Sequence, residues 1–263
     1  MLIDTHVHLD PYSQKEIEEI LCRATNEDVR IVISAGTTLD SSKKNIEYSK
    51  IFPQFFTGVG IHPMDLIEPF SEKHDNELRD LIRNHEKVIV MSEIGLDYLP
   101  DMPDRAWQFN AFRKQISIAR DFKLPIIFHS REAHRDCFRV LKEEKAYEVG
   151  GVMHYFQGSL YDAQAAIDSG FYISIARPLF RIDELQDVVK NISLDHIVIE
   201  TDSAPQPFKK NRENWTEPRH LRSILLKISE LKDLSTQEVE ETIFENTKKL
   251  LSKRWKSIES TFV

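Results

Sequence analysis

The sequence contains few of the residues that mark several classes of protein. Its two cysteines, Cys22 and Cys137, are too few for a disulfide scaffold or a zinc ribbon, and unpaired thiols suit a reducing compartment. Eight glycines and 11 prolines in 263 residues argue against a collagen-like or disordered chain. The longest apolar runs, such as 88–91 and 125–128, are too short to cross a bilayer. We therefore expect a full hydrophobic core and no membrane partner.

Positive charge is also scarce, because 35 Lys and Arg stand against 43 Asp and Glu, for a formal net charge of -8. That balance argues against a protein that coats nucleic acid with its whole surface. It does not exclude a local site with bound cations, since metal ions invert the local charge. The N-terminus has no Lys or Arg ahead of an apolar stretch, so we expect no secretory signal and a cytoplasmic protein.

Short β-branched runs alternate with longer amphipathic stretches along the whole chain. The predicted strands are 2–8, 30–34, 56–61, 88–94, 125–129, 151–156, 171–175 and 196–201. The predicted helices are 13–26, 40–51, 74–85, 103–122, 131–144, 159–169, 183–191, 217–231 and 235–252. This alternation predicts an α/β fold, a (β/α)8 TIM barrel, with a doubly wound open sheet as the alternative. No Pro-, Gly- or Ser-rich linker interrupts it, so we expect a single domain over 1–263.

Side chains that can bind metal follow the predicted strands where each strand ends. They are His6 and His8 at the end of the first strand, Glu93 near the end of the fourth, His129 at the end of the fifth, His154 in the sixth and Asp202 just past the eighth. Because the carboxyl ends of barrel strands form one face, these side chains are expected to meet at one mouth. His6 and His8 are two residues apart, so both imidazoles point to the same side of the strand.

Taken singly, each residue has a simpler explanation. The two N-terminal histidines could be polar residues at a strand end, Glu93 could pair with a basic residue, and His129 or His154 could be a hydrogen-bonded core histidine. Together, the nitrogen and oxygen ligands suffice for two divalent cations, with Zn, Mn, Fe, Ni or Mg as candidates, and no organic cofactor is indicated. Asp202 could bind metal or act as general base toward water.

A string of motifs in one order resembles the TatD family of metal-dependent hydrolases. The motifs are HVHLD at 6–10, GIHP at 60–63, EIGLDY at 93–98, HSREA at 129–133, HYFQG at 154–158, ETDS at 200–203 and ENTKKL at 245–250. The sequence departs from the family after the seventh strand, where ARPLFR at 176–181 replaces a turn with Gly or Ser that leads into Thr-Phe-Lys. The departure bears on substrate choice and leaves the metal positions intact.

The resemblance implies a TIM barrel with metal-dependent deoxyribonuclease activity, acting as an exonuclease on single-stranded or frayed DNA ends. The residues implied around one metal are His6, His8, Glu93 and Asp202. Those implied around the other are Glu93, His129 and His154. Asp202 would also serve the attacking water, so Glu93 and Asp202 are the expected catalytic carboxylates. No protein partner is implied.

Further residues are candidates for binding substrate. His62 could contact the scissile phosphate or only hydrogen-bond within its loop. Arg131 could hold a phosphate or pair with Glu132 or Asp136. Ser203 could position substrate or cap its loop. The segment 203–222 is locally basic and carries Phe208 and Trp215, as single-strand binding surfaces often do, or it is a solvated loop.

Two other functions remain as alternatives. An amidohydrolase-type enzyme would cleave C–N, ester or lactone bonds, and such barrels often use a carbamylated lysine where this chain has Glu93. A non-catalytic protein with a structural metal would have a closed, thiolate-rich site, which this sequence lacks.

Overall fold

The computed structural model describes residues 1–261 and contains eight parallel strands in the order β1 to β8. The strands are β1 Leu2–Val7, β2 Val29–Ala35, β3 Phe55–Val59, β4 Val88–Asp97, β5 Ile126–Arg131, β6 Gly151–Met153, β7 Phe171–Ile175 and β8 Ile197–Ile199. The helices are α1 Gln14–Asn26, α2 Leu39–Ile51, α3 Glu72–Asn84, α4 Arg105–Phe122, α5 His134–Glu143, α6 Leu160–Asp168, α7 Asp183–Asn191, α8 Leu221–Lys232, α9 Thr236–Leu250 and α10 Trp255–Glu259. The consecutive strand order confirms the predicted (β/α)8 barrel. The alternative of a doubly wound sheet is wrong, because such a sheet does not have its strands in consecutive order.

The segment that follows β8 forms backbone hydrogen bonds with the end of β1, and these bonds close the barrel. The backbone N–H of Asp202 donates to the carbonyl of His6 at 3.0 Å, and that of His8 donates to the carbonyl of Ser203 at 2.7 Å. Because these bonds involve the very residues predicted as metal ligands, closure of the barrel also sets the distance between His6, His8 and Asp202.

The helices begin where short polar side chains can cap them. Ser13 and Glu16 form a reciprocal capping box at the start of α1, and Ser235 accepts a hydrogen bond from the backbone of Glu238 at the start of α9. Apolar residues at helical spacing then turn toward the strands, as Phe112, Ile116 and Ala119 do on α4. The core therefore lies between the strands and the ring of helices.

A second apolar cluster fills the amino-terminal end of the barrel. Trp255 and Ile258 of α10, which the sequence pattern did not predict, pack in one cluster with residues of several strands, including Ile3 and Phe56. This end of the barrel is therefore closed by apolar packing, which leaves the polar residues of the strands' carboxyl ends for a site at the other end.

Some element boundaries differ from the predicted ones for local reasons. β6 stops at Met153 because Tyr155 has a positive φ of 46°, which a strand does not allow. β8 likewise stops before Asp202, whose φ is 51°. The predicted helix 217–231 begins with a 3-10 turn, Pro218–His220, and becomes α-helical at Leu221.

None of the helices within residues 1–261 has the length and apolarity to cross a membrane. The single domain over 1–263 stays a prediction, and its last two residues lie outside the described range.

Candidate functional site

The carboxyl ends of the strands surround a cavity of about 440 Å³. Its lining includes seven of the predicted site residues: His8, His62, Glu93, His129, Arg131, His154 and Asp202. His6 lies fully buried just beneath it. The structure thus brings together the side chains that the sequence placed on separate strands.

Glu93 stands at the centre of the site, and its two carboxylate oxygens face different groups of histidines. Oε1 lies 2.7 Å from His154 Nε2 and 3.0 Å from His129 Nδ1. Oε2 lies 3.4 Å from His6 Nε2 and 3.5 Å from His8 Nε2. One carboxylate therefore separates two nitrogen-rich half-sites.

Asp202 belongs to the half-site of the first strand. Its Oδ1 lies 3.3 Å from His8 Nε2 and 3.9 Å from His6 Nε2, and those two nitrogens are 3.1 Å apart. His6 has no hydrogen-bond partner for its buried Nδ1 within residues 1–261. The other ring nitrogen, Nε2, faces the carboxylates of Glu93 and Asp202.

The electrostatics of the site favour added positive charge. Burial acts to raise the pKa of Glu93, but the charge of His154 and hydrogen bonds from histidines hold that pKa well below its usual range. Burial acts to lower the pKa of His8, but the hydrogen bond and charge of Asp202 outweigh it and raise the pKa to about 9. The pKa of Asp202 falls to about 2, because its contact with His8 outweighs burial. Such a cluster suits a bound cation.

Two buried carboxylates orient His129 and His154, the two histidines that face Oε1 of Glu93. His129 donates its Nε2–H to Asp97 at 2.9 Å, which leaves Nδ1 facing Glu93. His154 donates its Nδ1–H to Glu200 at 3.1 Å, which leaves Nε2 facing Glu93. A carboxylate behind a histidine fixes which ring nitrogen presents a lone pair, as is usual for metal ligands.

His62 differs from these histidines in the nitrogen that it turns toward Glu93. Its Nδ1 accepts a hydrogen bond from the backbone N–H of Met64 at 3.1 Å, so in the neutral ring the proton sits on Nε2. That Nε2–H points at Glu93 Oε1, 3.3 Å away. His62 thus hydrogen-bonds within its own loop and also presents a donor at the mouth, and its contact with a phosphate stays a prediction.

Arg131 and Ser203, the other two residues predicted to bind substrate, differ in exposure. Arg131 is exposed at the rim and forms no ion pair with any of residues 1–261; Asp136, one predicted alternative partner, pairs with Arg139 instead. Ser203 is fully buried, and its hydroxyl donates to the carbonyl of Thr216 at 2.9 Å. Ser203 lies outside the cavity lining and its hydroxyl is used within its own loop, as the loop-capping alternative describes, so its contact with substrate stays a prediction.

The sequence analysis missed a hydrogen-bonded pair at the rim. Ser130 and His134 both line the cavity, and Ser130 Oγ lies 2.8 Å from His134 Nδ1. Burial lowers the pKa of His134, so this ring is neutral near pH 7. β5 extends past His129 to Arg131, so Ser130 lies on the end of the strand beside His134, the first residue of α5.

The donor set fits divalent cations. Three overlapping groups have ligand atoms within 4.8 Å of one another: His6, His8 and Glu93; His6, His154 and Asp202; and His62, Glu93 and His129. Imidazole nitrogens with carboxylate oxygens suit Zn, Mn, Fe or Ni, and a site open to a cavity is typical of catalytic rather than structural metals. Within the third group, His62 differs from His129 because its tautomer presents an N–H donor toward Glu93 rather than a lone pair.

Comparison with known proteins agrees with this geometry. Residues 3–252 match the family model described as TatD related DNase. The chain is 34% identical over 256 residues to the uncharacterized metal-dependent hydrolase YabD of Bacillus subtilis (strain 168), covering 95% of this chain and 98% of that protein. It is 30% identical over 258 residues to the uncharacterized metal-dependent hydrolase YcfH of Escherichia coli (strain K12), covering 95% of each.

A solved structure agrees as well. YjjV, a TatD homolog from Escherichia coli K12, superposes with a TM-score of 0.86 at 26% identity, covering 95% of this chain and 97% of that one. A TatD family hydrolase from Entamoeba histolytica, at 23% identity and a TM-score of 0.82 over 95% of this chain and 97% of that one, shares the fold. The chain therefore belongs to the TatD related DNase family and is a metal-dependent hydrolase.

Proposed function

We propose that this protein is a deoxyribonuclease that hydrolyses phosphodiester bonds at single-stranded or frayed DNA ends, with two divalent cations at the barrel mouth. The observation that carries the proposal is the division of the histidines between the two oxygens of Glu93. A carboxylate between two nitrogen-rich half-sites would hold one cation on each side, and paired cations are typical of phosphodiester hydrolysis.

When bound, divalent cations supply Lewis-acid polarisation of the phosphate and stabilise its developing negative charge. Asp202, ionised because of its low pKa, faces the cavity and accepts the proton of the attacking water. The Nε2–H of His62 donates to a phosphate oxygen. The free guanidinium of Arg131 at the rim pairs with a second phosphate oxygen.

The acidic net charge supports action at ends rather than along a duplex. A chain with a formal charge of -8 repels long DNA, so affinity has to come from local contacts near the cavity. A frayed or single-stranded end reaches such a cavity more easily than an intact duplex does.

The alternative activity, cleavage of C–N, ester or lactone bonds, has less support. Amidohydrolase-type barrels often bridge their metals with a carbamylated lysine. No lysine lines the cavity in the part of the chain that the structure describes, and Glu93 occupies the central position.

The test is metal analysis of the purified protein with an activity panel of single-stranded DNA, RNA, a generic phosphodiester, and an amide and a lactone. We expect about two metal equivalents and release of nucleotides from single-stranded DNA, abolished in Asp202→Asn. Asp195→Asn, an exposed aspartate before β8, is the matched control and should keep full activity. Hydrolysis of only the amide or lactone would refute the proposal.

A further inference from the structure

Unpaired basic side chains lie in the two loops that follow β7 and β8. Arg177 and Arg181 flank the short turn after β7, and their guanidinium groups form no ion pair or hydrogen bond with any of residues 1–261. Lys209, in the loop after β8, donates only to the carbonyl of Asn214, at 3.0 Å. Unpaired cations are notable in a chain with a net charge of -8.

The two loops leave neighbouring strands, because Ile175 at the end of β7 pairs with Ile199 at the end of β8. Burial lowers the pKa of Lys209, and the charges of Arg177 and Arg181 lower it further. The fold therefore brings like charges near one another. Such an arrangement is unfavourable by itself and becomes favourable when an anion binds.

Three other basic residues of the predicted segment 203–222 form ion pairs, whereas the exposed Lys210 forms none with any of residues 1–261. Arg212 and Arg219 both pair with the buried Glu217, at 3.2 and 3.3 Å, and Arg222 pairs with Glu240. The basic surface is therefore not the continuous segment that the sequence suggested. It is made by two loops that come together in the fold.

Exposed aromatic rings accompany the free cations. Phe180, next to Arg181, is 45% exposed, and Phe208, next to Lys209, is 79% exposed. Trp215 is half-buried and packs beneath the guanidinium of Arg212, with the charge 4.3 Å from its ring, so it belongs to the loop's own structure. We call Arg177, Phe180, Arg181, Phe208 and Lys209 the β7–β8 surface.

The β7–β8 surface lies at the same end of the barrel as the cavity. Tyr155 and Asp202 line the cavity, and Asp202 stands at the start of the loop that carries Phe208 and Lys209. A DNA strand that leaves the cavity along this loop would meet the surface. In TIM barrels the loops after the seventh and eighth strands are a frequent place for phosphate binding.

We propose that the β7–β8 surface binds the single-stranded DNA adjoining the nucleotide at the cavity, with phosphates on the cations and bases stacked on the two phenylalanines. This inference rests on the proposed function for its choice of ligand. Base stacking beside a basic path binds single strands with little sequence preference. The surface thus supplies a local electrostatic attraction for phosphates in a protein whose net charge is negative.

The test measures binding of a fluorescently labelled single-stranded 12-nucleotide DNA in EDTA, where the metal-dependent reaction is stopped. The double variant Arg177→Gln/Arg181→Gln should weaken binding about tenfold at low salt and reduce the slope of log affinity against log salt by about 1.4. Lys249→Gln/Lys256→Gln removes two exposed charges at the opposite end of the barrel and should leave both quantities unchanged. Phe208→Ala should weaken binding about fivefold without altering the slope.

Equal affinity and slope in the arginine variant and its lysine control would overturn the inference, as would absence of DNA binding by the wild-type protein. Binding that depends on the arginines supports it, whatever the nuclease panel shows. Conversely, a wild-type protein that binds DNA through this surface but never hydrolyses it would refute the proposed function alone. Far-ultraviolet circular dichroism of each variant verifies that the barrel is folded.

Discussion

The carboxylate of Asp4 accepts two hydrogen bonds from Thr201, one from its backbone N–H at 2.9 Å and one from its hydroxyl at 2.5 Å. Both residues are buried. Asp4 precedes His6 by two positions on β1, and Thr201 directly precedes Asp202. The pair therefore ties the two chain segments whose side chains form one half-site, and it couples the closure of the barrel to the geometry of that half-site.

Replacing Thr201 by valine should lower both stability and metal affinity. The variant removes one donor from a buried carboxylate, at a cost of about 1–3 kcal/mol in the free energy of unfolding. It also loosens Asp202 relative to His6. Urea unfolding and metal titration measure the two effects.

Thr57→Val is the matched control for that substitution. Thr57 is equally buried, but its hydroxyl has no hydrogen-bond partner within residues 1–261. Its replacement should leave stability unchanged or increase it, and metal affinity should stay the same. Equal losses in the two variants would contradict the role of the Asp4–Thr201 pair.

The tautomers of the histidines predict different results for His62→Ala and His129→Ala. His129 presents a lone pair toward Glu93, so its loss should remove metal as well as activity. His62 presents an N–H, so its loss should lower kcat about 100-fold while the metal content stays near the wild-type value. Metal analysis and steady-state kinetics of both variants check this. A His62→Ala protein depleted of metal would show that His62 is a ligand.

Arg131→Ala should raise the KM for a DNA oligonucleotide about tenfold with little change in metal content, because a charge-assisted contact to phosphate contributes about 1.5 kcal/mol or more. Arg30→Ala is the control, since Arg30 pairs with Asp28 at the amino-terminal end of the barrel and is remote from the cavity. An unchanged KM in Arg131→Ala would exclude Arg131 from substrate binding.

Much of the fold and site follows from local sequence patterns. The barrel was predictable because hydrophobic periodicity marks each strand and helix separately, and the order of elements leaves few topologies. His6, His8 and Glu93 were placed together because the carboxyl ends of parallel strands share one edge of the sheet. These arguments need only the position of each residue along its own element.

The features that were missed depend on particular contacts that no periodic pattern encodes. The proton position on His62 depends on a backbone N–H of its own turn, and the burial of Ser203 depends on the carbonyl of Thr216. The proximity of Arg177 to Lys209 arises from the path of two separate loops. Periodicity carries no information on such contacts, so only the folded structure reveals them.

The His8–Asp202 pair predicts how stability depends on pH once metal is removed. The folded-state pKa of His8 is raised to about 9, so its stabilising contribution is complete below about pH 6.5 and is lost as pH rises through 9. The folded-state pKa of Asp202 is lowered to about 2, so its contribution is complete above about pH 4 and is lost as pH falls through 2. The pair therefore stabilises the metal-free protein most between about pH 4 and pH 6.5.

In EDTA, the urea midpoint should fall as the pH is raised from 6 to 9, and His8→Gln should show a shallower fall because it lacks the proton that is lost. With saturating zinc, the wild-type protein should lose less stability over the same range, because metal replaces protons on the histidines and binds more tightly as they deprotonate. Parallel pH profiles for wild type and His8→Gln in EDTA would contradict the ion pair, since its titration would then contribute nothing to folding.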